Sequence, residues 1–385
     1  MIPYVTDTPD IAIPSNLLPG DGRFGSGPSK VRPEAVEALA ASAGRFLGTS
    51  HRQKTVKSVV GSLREGLAQL FSLPEGYEVV LGNGGTTCFW DAATFGLIDR
   101  KSQHLTFGEF SSKFATAAKD APHLDEPEII ASEVGTHPLA VARDDVDLYA
   151  LTHNETSTGV MMAIARPDGA AAPAEGGGLV AVDATSGAGG LRVDPDQFDA
   201  YYFAPQKCFG SDGGLWVALL SPAAQNRIAA IAATKRWVPA SMDLTIALDN
   251  SKLDQTYNTP ALATLFLFDN QVTWFNKQGG LEFSTGRCDR SAEILYTWAE
   301  NSDFATPFVT RVQDRSHVVG TIDFDDSINA ATVAAVLRAN GIVDTEPYRK
   351  LGRNQLRIAM FPAIDPDDVA SLCACINYVV GAIAA

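Results

Sequence analysis

Cysteine is scarce in this chain, and its spacing does not suit a metal site. The 385 residues include only five cysteines, at positions 88, 208, 288, 373 and 375. An odd number excludes complete disulfide pairing, and Cys373 and Cys375 lie in an apolar helical pattern that is typical of core thiols. We therefore expect no metal and a reducing, cytoplasmic environment.

Basic residues are in the minority as well. Thirty lysines and arginines stand against 45 aspartates and glutamates, which gives a formal charge of −15. This charge argues against a nucleic-acid or anionic-membrane partner. The sequence also lacks a signal-peptide pattern, and we expect no segment close to the ~20 apolar residues of a membrane span. An anionic substrate would need a local basic cluster.

Short apolar runs alternate with helical or glycine-rich stretches up to about residue 220. The predicted strands cover residues 78–81, 105–107, 148–151, 179–182, 201–203 and 215–220. This alternation predicts an α/β fold, with a mostly parallel sheet flanked by helices. Its ligand crevice should lie beyond the carboxyl ends of the strands, where Thr86, Thr156, Asp183 and Lys207 all fall.

The chain is longer than one typical core, so two domains are expected. A helix-rich stretch covers about 223–300. Strands near 318–324 and 356–360, with a final helix from Pro366, indicate a smaller C-terminal α+β domain. We place an N-terminal arm at 1–25, packed with the small domain, a large domain at 26–285 and the small domain at 286–385.

A lysine and an aspartate each follow an apolar run that is typical of a buried strand. Asp183 ends one run, and Lys207 lies between the next run and a glycine-rich turn. Desolvation disfavours a charged amine and makes it a nucleophile. Pyridoxal phosphate needs such a lysine for its aldehyde and an aspartate for its pyridine nitrogen. Alternatively, Lys207 reaches solvent and Asp183 forms a turn or caps a helix.

Several other residues suit the same cofactor, although each has a simpler interpretation. Gly84-Gly85-Thr86-Thr87, between a strand and a helix, could cradle a phosphate. Thr156 could contact the ring hydroxyl or merely cap a helix, with Asn154 or Glu155 bracing its loop. Phe110 could stack on the ring or fill the core.

Four cationic side chains are candidates for binding an anionic substrate. They are His51, Arg52, Arg349 and Arg357. Arg357 alternates with apolar residues in a predicted strand, and its planar guanidinium suits a bidentate grip on a carboxylate. Surface arginines are usually solvated, so the other cations are weaker candidates.

These motifs occur in the order seen in phosphoserine aminotransferases, which are class-V, fold-type I enzymes that use pyridoxal phosphate. The resemblance covers the chain from about residue 22, and its most specific element is Gln206-Lys207. It rests on Ser50-His51-Arg52, Gly84-Gly85-Thr86-Thr87, Asn154-Glu155-Thr156, Asp183-Ala184-Thr185-Ser186, Gln206-Lys207, Asn258-Thr259-Pro260, Arg349 and Arg357.

The resemblance implies a role for each of these residues. Lys207 would hold the cofactor and shuttle the proton, Asp183 would pair with the pyridine nitrogen, and Phe110 would stack on the ring. Thr156 would contact the ring hydroxyl. The cofactor phosphate would be bound by Thr86, Thr87 and Gln206, joined by Asn258 and Thr259 from the second subunit of a homodimer. Arg357 would bind the substrate α-carboxylate, and the distal anion would be bound by His51, Arg52 and Arg349.

By the same resemblance, the enzyme would exchange an amino group between L-glutamate and 3-phosphohydroxypyruvate in serine biosynthesis. The sequence departs from the common family pattern at Phe110 (often Trp), at Thr86-Thr87-Cys88 and at Tyr348 (often His). Alternatives are alanine–glyoxylate or serine–pyruvate aminotransferase, cysteine desulfurase, and a non-catalytic protein that binds the cofactor. Use of 4-phosphohydroxythreonine, an intermediate of pyridoxine biosynthesis, stays open.

Overall fold

A computed structural model of the chain describes residues 9–384. Its central sheet has seven strands in the order β1-β9-β8-β7-β4-β2-β3, and the adjacent hairpin consists of β5 and β6. Along the chain these are β1 (Glu78–Asn83), β2 (Ser102–Thr106), β3 (Glu128–Ala131), β4 (Leu148–Thr152), β5 (Asn154–Glu155), β6 (Val160–Met161), β7 (Leu179–Asp183), β8 (Ala200–Phe203) and β9 (Leu215–Leu220). Only β9 is antiparallel to its neighbours. The predicted mostly parallel sheet is confirmed.

Ten α-helices surround this sheet and build the C-terminal lobe within residues 9–384. They are α1 (Pro33–Phe46), α2 (Lys54–Leu70), α3 (Thr86–Gly96), α4 (Glu109–Lys119), α5 (Pro222–Ala233), α6 (Leu244–Lys252), α7 (Leu262–Gln278), α8 (Leu281–Glu300), α9 (Ala330–Ala339) and α10 (Pro366–Ala384). Pro33 occupies the first turn of α1, where a missing amide hydrogen leaves no helical bond unmade.

Both faces of the central sheet are covered by apolar side chains. Successive residues of a strand point to opposite faces, so Tyr201 and Phe203 of β8 enter one core cluster and Tyr202 enters the other. This double burial explains why the central strands read as continuous apolar runs. The edge strand β3 alternates between half-buried and exposed residues, and its weak apolar signal escaped prediction.

The C-terminal lobe is a second core around an antiparallel sheet. Its strands are β10 (Ala305–Pro307), β11 (Val319–Phe324) and β12 (Gln355–Ala359), with β11 in the middle. Side chains of this sheet and of helices α8–α10 form one buried cluster, which includes Leu295, Ile322, Leu337, Ile358 and Ile376. The two longer strands match the predicted ones to within a residue, whereas the three-residue β10 was not predicted.

The predicted domain boundary at 285/286 falls inside the continuous helix α8. Leu281 and Phe283, in its first turn, pack against a cluster of the large domain. Cys288 and Leu295, further along, belong to the core of the C-terminal lobe. The helix therefore contributes to both cores, and the division into 26–285 and 286–385 stays a prediction.

The described part of the predicted arm lies against the C-terminal lobe, and residues 1–8 fall outside the described residues. Ile13 and Phe24 are buried in the core cluster of that lobe. Asn340, which follows α9, donates to the carbonyl oxygen of Ile11 (2.8 Å) and accepts from the amide of Ile13 (2.9 Å). One side chain thus satisfies two backbone groups of the arm.

Helix α10 is long and apolar enough, by length and composition, to cross a membrane. The expectation that no segment approaches this length is therefore wrong. Its composition has another physical cause, because Val369, Leu372 and Ile376 are buried in the core of the C-terminal lobe. Two aspartates also occupy its first turn, where negative charge stabilises a helix.

We predict that Asn340→Ala loosens the arm, because it leaves two backbone groups of the arm without their partner. The loss should be about 1–3 kcal/mol of local stability, seen as faster hydrogen exchange at the amide of Ile13. Asn301→Ala is the matched control, because Asn301 also follows a helix and bonds to the carbonyl four residues earlier, but it does not contact the arm. Equal exchange at Ile13 in both variants would contradict the prediction.

Candidate active site

The candidate site lies at the carboxyl edge of the parallel strands. Strands β4, β7 and β8 are neighbours, and Asp183 pairs with Thr152 on one side and Tyr202 on the other. Lys207 follows β8 by four residues. Because parallel strands end at one edge of a sheet, the loops after β4, β7 and β8 meet there.

Lys207 presents its amine inside this crevice. Its Nζ donates a hydrogen bond to the backbone carbonyl oxygen of Ser26 (2.6 Å). Desolvation, and next the positive charge of Arg357, lower the pKa of Lys207 to about 8. A substantial fraction of the amine is therefore neutral near physiological pH, as a nucleophilic lysine requires.

Asp183 is buried and holds three hydrogen-bond donors. Its Oδ1 accepts from the amide (2.9 Å) and the hydroxyl (2.6 Å) of Thr185, and its Oδ2 accepts from the indole nitrogen of Trp90 (3.0 Å). Burial raises the pKa of Asp183, and these donors counteract it. A carboxylate has about four acceptor positions, so one remains for a pyridinium N–H. The residue thus fits the predicted cofactor.

Thr156 lies in a polar cluster next to this carboxylate. Its hydroxyl donates to the hydroxyl oxygen of Ser186 (2.7 Å), which also accepts from the amide nitrogen of Asn154 (2.8 Å). The hydroxyl of Thr156 is therefore already engaged within the protein. Donation to a cofactor ring oxygen would require its hydrogen to turn away from Ser186, which a hydroxyl rotor permits, whereas its lone pairs stay free to accept.

Glu155 holds Phe110 at the mouth of the crevice. It is fully buried, and its carboxylate accepts from the backbone amides of Phe110 (3.1 Å) and Ser111 (2.9 Å) and from the hydroxyl of Ser157 (2.6 Å). A carboxylate at a helix N-terminus also complements the helix dipole. A Cβ atom on Gly108 would lie 2.3 Å from the Glu155 side chain, so this close approach needs glycine.

The glycine-rich turn after β1 leads into α3, which begins at Thr86. The first amides of an α-helix lack intrahelical acceptors, so those of Thr86 and Thr87 are available to an anion. Thr86 is buried and Thr87 is exposed. The hydroxyl of Thr86 lies 2.8 Å from that of Thr185 and donates to it, because the single hydroxyl hydrogen of Thr185 goes to Asp183. Gln206 has a buried side-chain oxygen without a hydrogen-bond donor among the described residues.

Arg357 carries a positive charge into the crevice from β12. Its Nη1 donates to the carbonyl oxygen of Thr156 (3.2 Å), and its guanidinium lies 5.4 Å from the ring centre of Tyr348. Within residues 9–384 it has no carboxylate partner, and its buried Nε lacks an acceptor. Burial lowers its pKa. Such a cation is ready to bind an anion.

The short turn Arg349–Leu351 lies near this arginine. The Phe110 and Tyr348 rings are 6.1 Å apart, and Lys350 forms an ion pair of 2.5 Å with Glu109. This pair joins the C-terminal lobe to the start of α4. Arg349 itself is exposed.

A second group of predicted site residues lies near the glycine-rich turn, where the carbonyl oxygen of Thr259 accepts from the side-chain amide of Asn83 at the end of β1 (3.3 Å). We call His51, Arg52, Asn258 and Thr259 the loop cluster. His51 Nδ1 lies 3.1 Å from the hydroxyl of Thr259, and Arg52 donates to the Gln255 side chain (2.7 Å). Asn258 and Thr259 are exposed, and burial together with the charge of Arg52 lowers the pKa of His51. Among the described hydrogen bonds and ion pairs, none joins the loop cluster to Lys207 or to Arg349.

Sequence reasoning missed Trp90, the Asp183–Thr185 bonds and the contact between Lys207 and Ser26. Trp90 lies one helical turn after Thr86, and an indole at that position of a phosphate-cup helix is a signal that could have been used. The contact of Ser26 involves only its backbone, so no residue type marks it. Within the described residues, no three His, Cys, Asp or Glu side chains are grouped as metal ligands.

Comparison with known proteins adds a family to this geometry. Residues 24–345 match the class-V aminotransferases. Over 373 residues the chain is 61% identical to a phosphoserine aminotransferase of a Nocardioides species, covering 97% of this chain and 99% of that protein.

Two solved structures share the fold. The phosphoserine aminotransferase of Cytophaga hutchinsonii matches with a TM-score of 0.84 at 22% identity. The match covers 93% of this chain and 99% of the chain of that structure. The pyridoxal-phosphate-bound phosphoserine aminotransferase of Trichomonas vaginalis has a TM-score of 0.76 at 19% identity, with coverage of 93% and 99%. These similarities confirm the predicted fold class.

We predict that Trp90→Phe weakens binding of pyridoxal phosphate about tenfold, or about 1.4 kcal/mol. Loss of the indole donor should raise the pKa of Asp183 further and weaken its pairing with a pyridinium nitrogen. Absorbance titration of the cofactor-free protein measures the affinity. Trp216→Phe is the control, since Trp216 lies in the same core cluster and its indole N–H has no acceptor among the described residues. Equal affinities for the two variants would disprove a role for Trp90.

Proposed function

The chain belongs to the class-V aminotransferases, and from this premise we propose that it exchanges the amino group between L-glutamate and 3-phosphohydroxypyruvate. The products are 2-oxoglutarate and O-phospho-L-serine. Identity of 61% to a phosphoserine aminotransferase extends over nearly the whole chain. It is a transaminase of the class that depends on pyridoxal phosphate, and its reaction belongs to serine biosynthesis.

The single structural observation that favours this function is the unpaired guanidinium of Arg357. Its Nη1 already bonds to the carbonyl oxygen of Thr156 (3.2 Å), whereas its buried Nε has no acceptor among the described residues. An arginine desolvated in this way gains most from a planar, bidentate anion. Both proposed substrates carry an α-carboxylate, so one arginine serves both directions of the reaction.

The cofactor would be held by residues at the carboxyl ends of four strands, β1, β2, β7 and β8. Pyridoxal phosphate, when bound, supplies the electron sink that makes the substrate Cα proton acidic. Lys207 would hold the aldehyde, and its Nζ would move the substrate proton to and from Cα. Asp183 would keep the pyridine nitrogen charged, and Phe110 would cover the ring. Thr86 and Thr87, at the start of α3, would bind the phosphate together with Gln206.

The distal anion of the substrate needs further positive charge, which His51 and Arg52 of the loop cluster supply in our proposal, while Asn258 and Thr259 bind the cofactor phosphate. Thr259 is already in contact with His51, so the two residues serve one site together. Because Asn258 and Thr259 are exposed and the cluster makes no described bond to Lys207, we place the whole cluster in the site of a second copy of the chain. The protein is then a homodimer with shared sites, and Arg349 contributes to the distal anion from its own chain.

The competing functions fit these residues less well. A cysteine desulfurase needs a reactive thiol on a mobile loop, whereas Cys373 and Cys375 are buried on α10. Burial raises the pKa of Cys373 to about 12 and that of Cys375 to about 11, which keeps both thiols protonated and inert. Alanine and glyoxylate have no distal anion and would leave Arg52 and Arg349 without a purpose. A cytoplasmic location belongs to the same proposal.

The direct test is a coupled assay of the purified holoenzyme with O-phospho-L-serine and 2-oxoglutarate. We expect turnover with this pair, and little with alanine and glyoxylate, because only the former pair presents two anions. Lys207→Ala should abolish turnover, and borohydride reduction with peptide mapping should locate the cofactor at position 207 in the parent. A preference for glyoxylate would instead favour the alanine–glyoxylate activity.

A hybrid dimer tests the position of the loop cluster. Arg52→Ala should weaken phosphoserine binding about tenfold or more while cofactor binding stays near the parent value, because Arg52 binds the distal anion. Lys207→Ala should be inactive. Consider a hybrid of one Arg52→Ala chain and one Lys207→Ala chain. If Arg52 serves the site of the other chain, one of the two sites combines an intact Lys207 with an intact Arg52.

Each hybrid dimer should therefore show about half of the parent activity, with the parent KM for phosphoserine, and a random mixture in which about half of the dimers are hybrids should regain about a quarter. The control mixture contains Lys207→Ala with a second Lys207→Ala preparation and should stay inactive. If Arg52 acts within its own chain, the hybrid shows no restoration, and the shared-site proposal is wrong.

A further inference from the structure

A short segment that spans the end of the arm and the start of the large domain connects the C-terminal lobe to the candidate catalytic lysine. We call residues 22–29 the arm link. At its beginning, the carbonyl oxygen of Gly22 accepts from the amide of Val343 (2.8 Å), and that of Phe24 accepts from the amide of Ala359 (3.0 Å). Ala359 ends β12, the strand that carries Arg357. The arm link is therefore bonded directly to that strand.

The other end of the arm link contacts the lysine loop at two points. The carbonyl oxygen of Ser26 accepts from Lys207 Nζ (2.6 Å), and the amide of Ser29 donates to the carbonyl oxygen of Gln206 (2.8 Å). The second bond joins backbone to backbone, so it fixes the distance between Ser26 and the lysine loop without depending on the lysine side chain.

Gly27 keeps the space that the lysine amine occupies. A Cβ atom at this position would lie 2.0 Å from Lys207 Nζ and 2.6 Å from its Cε. The backbone of Gly27 has a φ of +140°, which side-chain-bearing residues rarely adopt. Both the conformation and the contact therefore exclude any other residue, unless the lysine moves away from the Ser26 carbonyl.

We propose that Ser26 is a positioning residue, whose backbone carbonyl holds the amine of Lys207 whenever that amine is not covalently engaged. Gly27 keeps this position open, and the arm link ties it to the strand of Arg357. The lysine thus waits in a fixed place relative to the arginine that binds the substrate carboxylate. This inference rests on the proposed function, since it assigns a task to the lysine of that site.

Loss of the contact with the Ser26 carbonyl should change the pKa of Lys207 in one direction. A carbonyl oxygen accepts a stronger hydrogen bond from an ammonium than from an amine, so it favours the charged form. Desolvation and Arg357 favour the neutral form, whereas electrostatic interactions with Cys208 and Asp183 favour the ammonium, and together they lower the pKa of Lys207 to about 8. Removal of the carbonyl contact alone should therefore lower that pKa.

Gly27→Ala is the test, because its methyl group displaces Lys207 Nζ from the Ser26 carbonyl. The readout is acetylation of Lys207 by acetic anhydride in cofactor-free protein, followed across pH by peptide mass mapping. Only the neutral amine reacts, so the rate rises through the pKa. We expect a midpoint near 8 in the parent protein and a midpoint lower by about half a unit or more in Gly27→Ala.

In the holoenzyme, Gly27→Ala should lower kcat about tenfold with little change in the KM for phosphoserine, because binding by Arg357 is untouched. Gly44→Ala is the matched control: a Cβ atom there meets nothing within 4 Å, and both midpoint and kcat should equal those of the parent. A folded Gly27→Ala protein with an unchanged or raised midpoint would overturn the proposal.

A second variant covers the case in which Gly27→Ala fails to fold. Asp368→Ala removes the carboxylate that accepts from the amides of Gly20 (2.7 Å) and Asp21 (3.3 Å) and so loosens the arm away from the lysine. We expect a smaller shift of the midpoint in the same direction, and no shift would also overturn the proposal. The proposed function is tested separately. It is wrong if the parent holoenzyme does not turn over phosphoserine, whatever the acetylation midpoint of Lys207.

Discussion

The candidate site depends on the burial of one amine, that of Lys207, away from water. A solvated lysine is charged at neutral pH and does not attack an aldehyde. A buried amine without polar partners would stay neutral, so it would not form the ammonium that donates a proton. Lys207 lies between these limits, because desolvation and Arg357 lower its pKa to about 8 while the Ser26 carbonyl holds its hydrogen. Both proton-transfer directions of a transamination need an amine of this intermediate kind.

Sheet topology brings the partners of this amine together without long connections. Asp183 and the strand before Lys207 are neighbours in register, so aspartate and lysine emerge at the same edge. Helix α3 begins beside them, and its Trp90 reaches back to the carboxylate. The large domain thus supplies the cofactor site, while β12 of the C-terminal lobe brings the substrate arginine. Their relative position is set in part by the arm link.

The sequence predicts those features that depend on residue type and period. Asp183 and Lys207 are recognisable because buried strand ends carry few charged residues, and Arg357 because it interrupts an apolar strand. The Ser26 carbonyl and the collision at Gly27 are not recognisable, since a backbone acceptor can belong to any residue. The short strands β3 and β10 carry too few apolar residues to give a period, and α10 resembles a membrane span because its core face is unusually apolar.

Within one chain, no described hydrogen bond or ion pair joins His51 or Arg52 to Lys207. The net charge of the protein makes the position of these cations important. With a formal charge of −15, the protein repels a doubly anionic substrate at long range, so local cations must overcome that field. Arg357 alone matches one carboxylate. His51 contacts Thr259, and Arg52 contacts Gln255, within their own chain, so the loop cluster forms one unit. If that unit serves a second copy, each site is completed only on dimerisation, and substrate specificity becomes a property of the dimer.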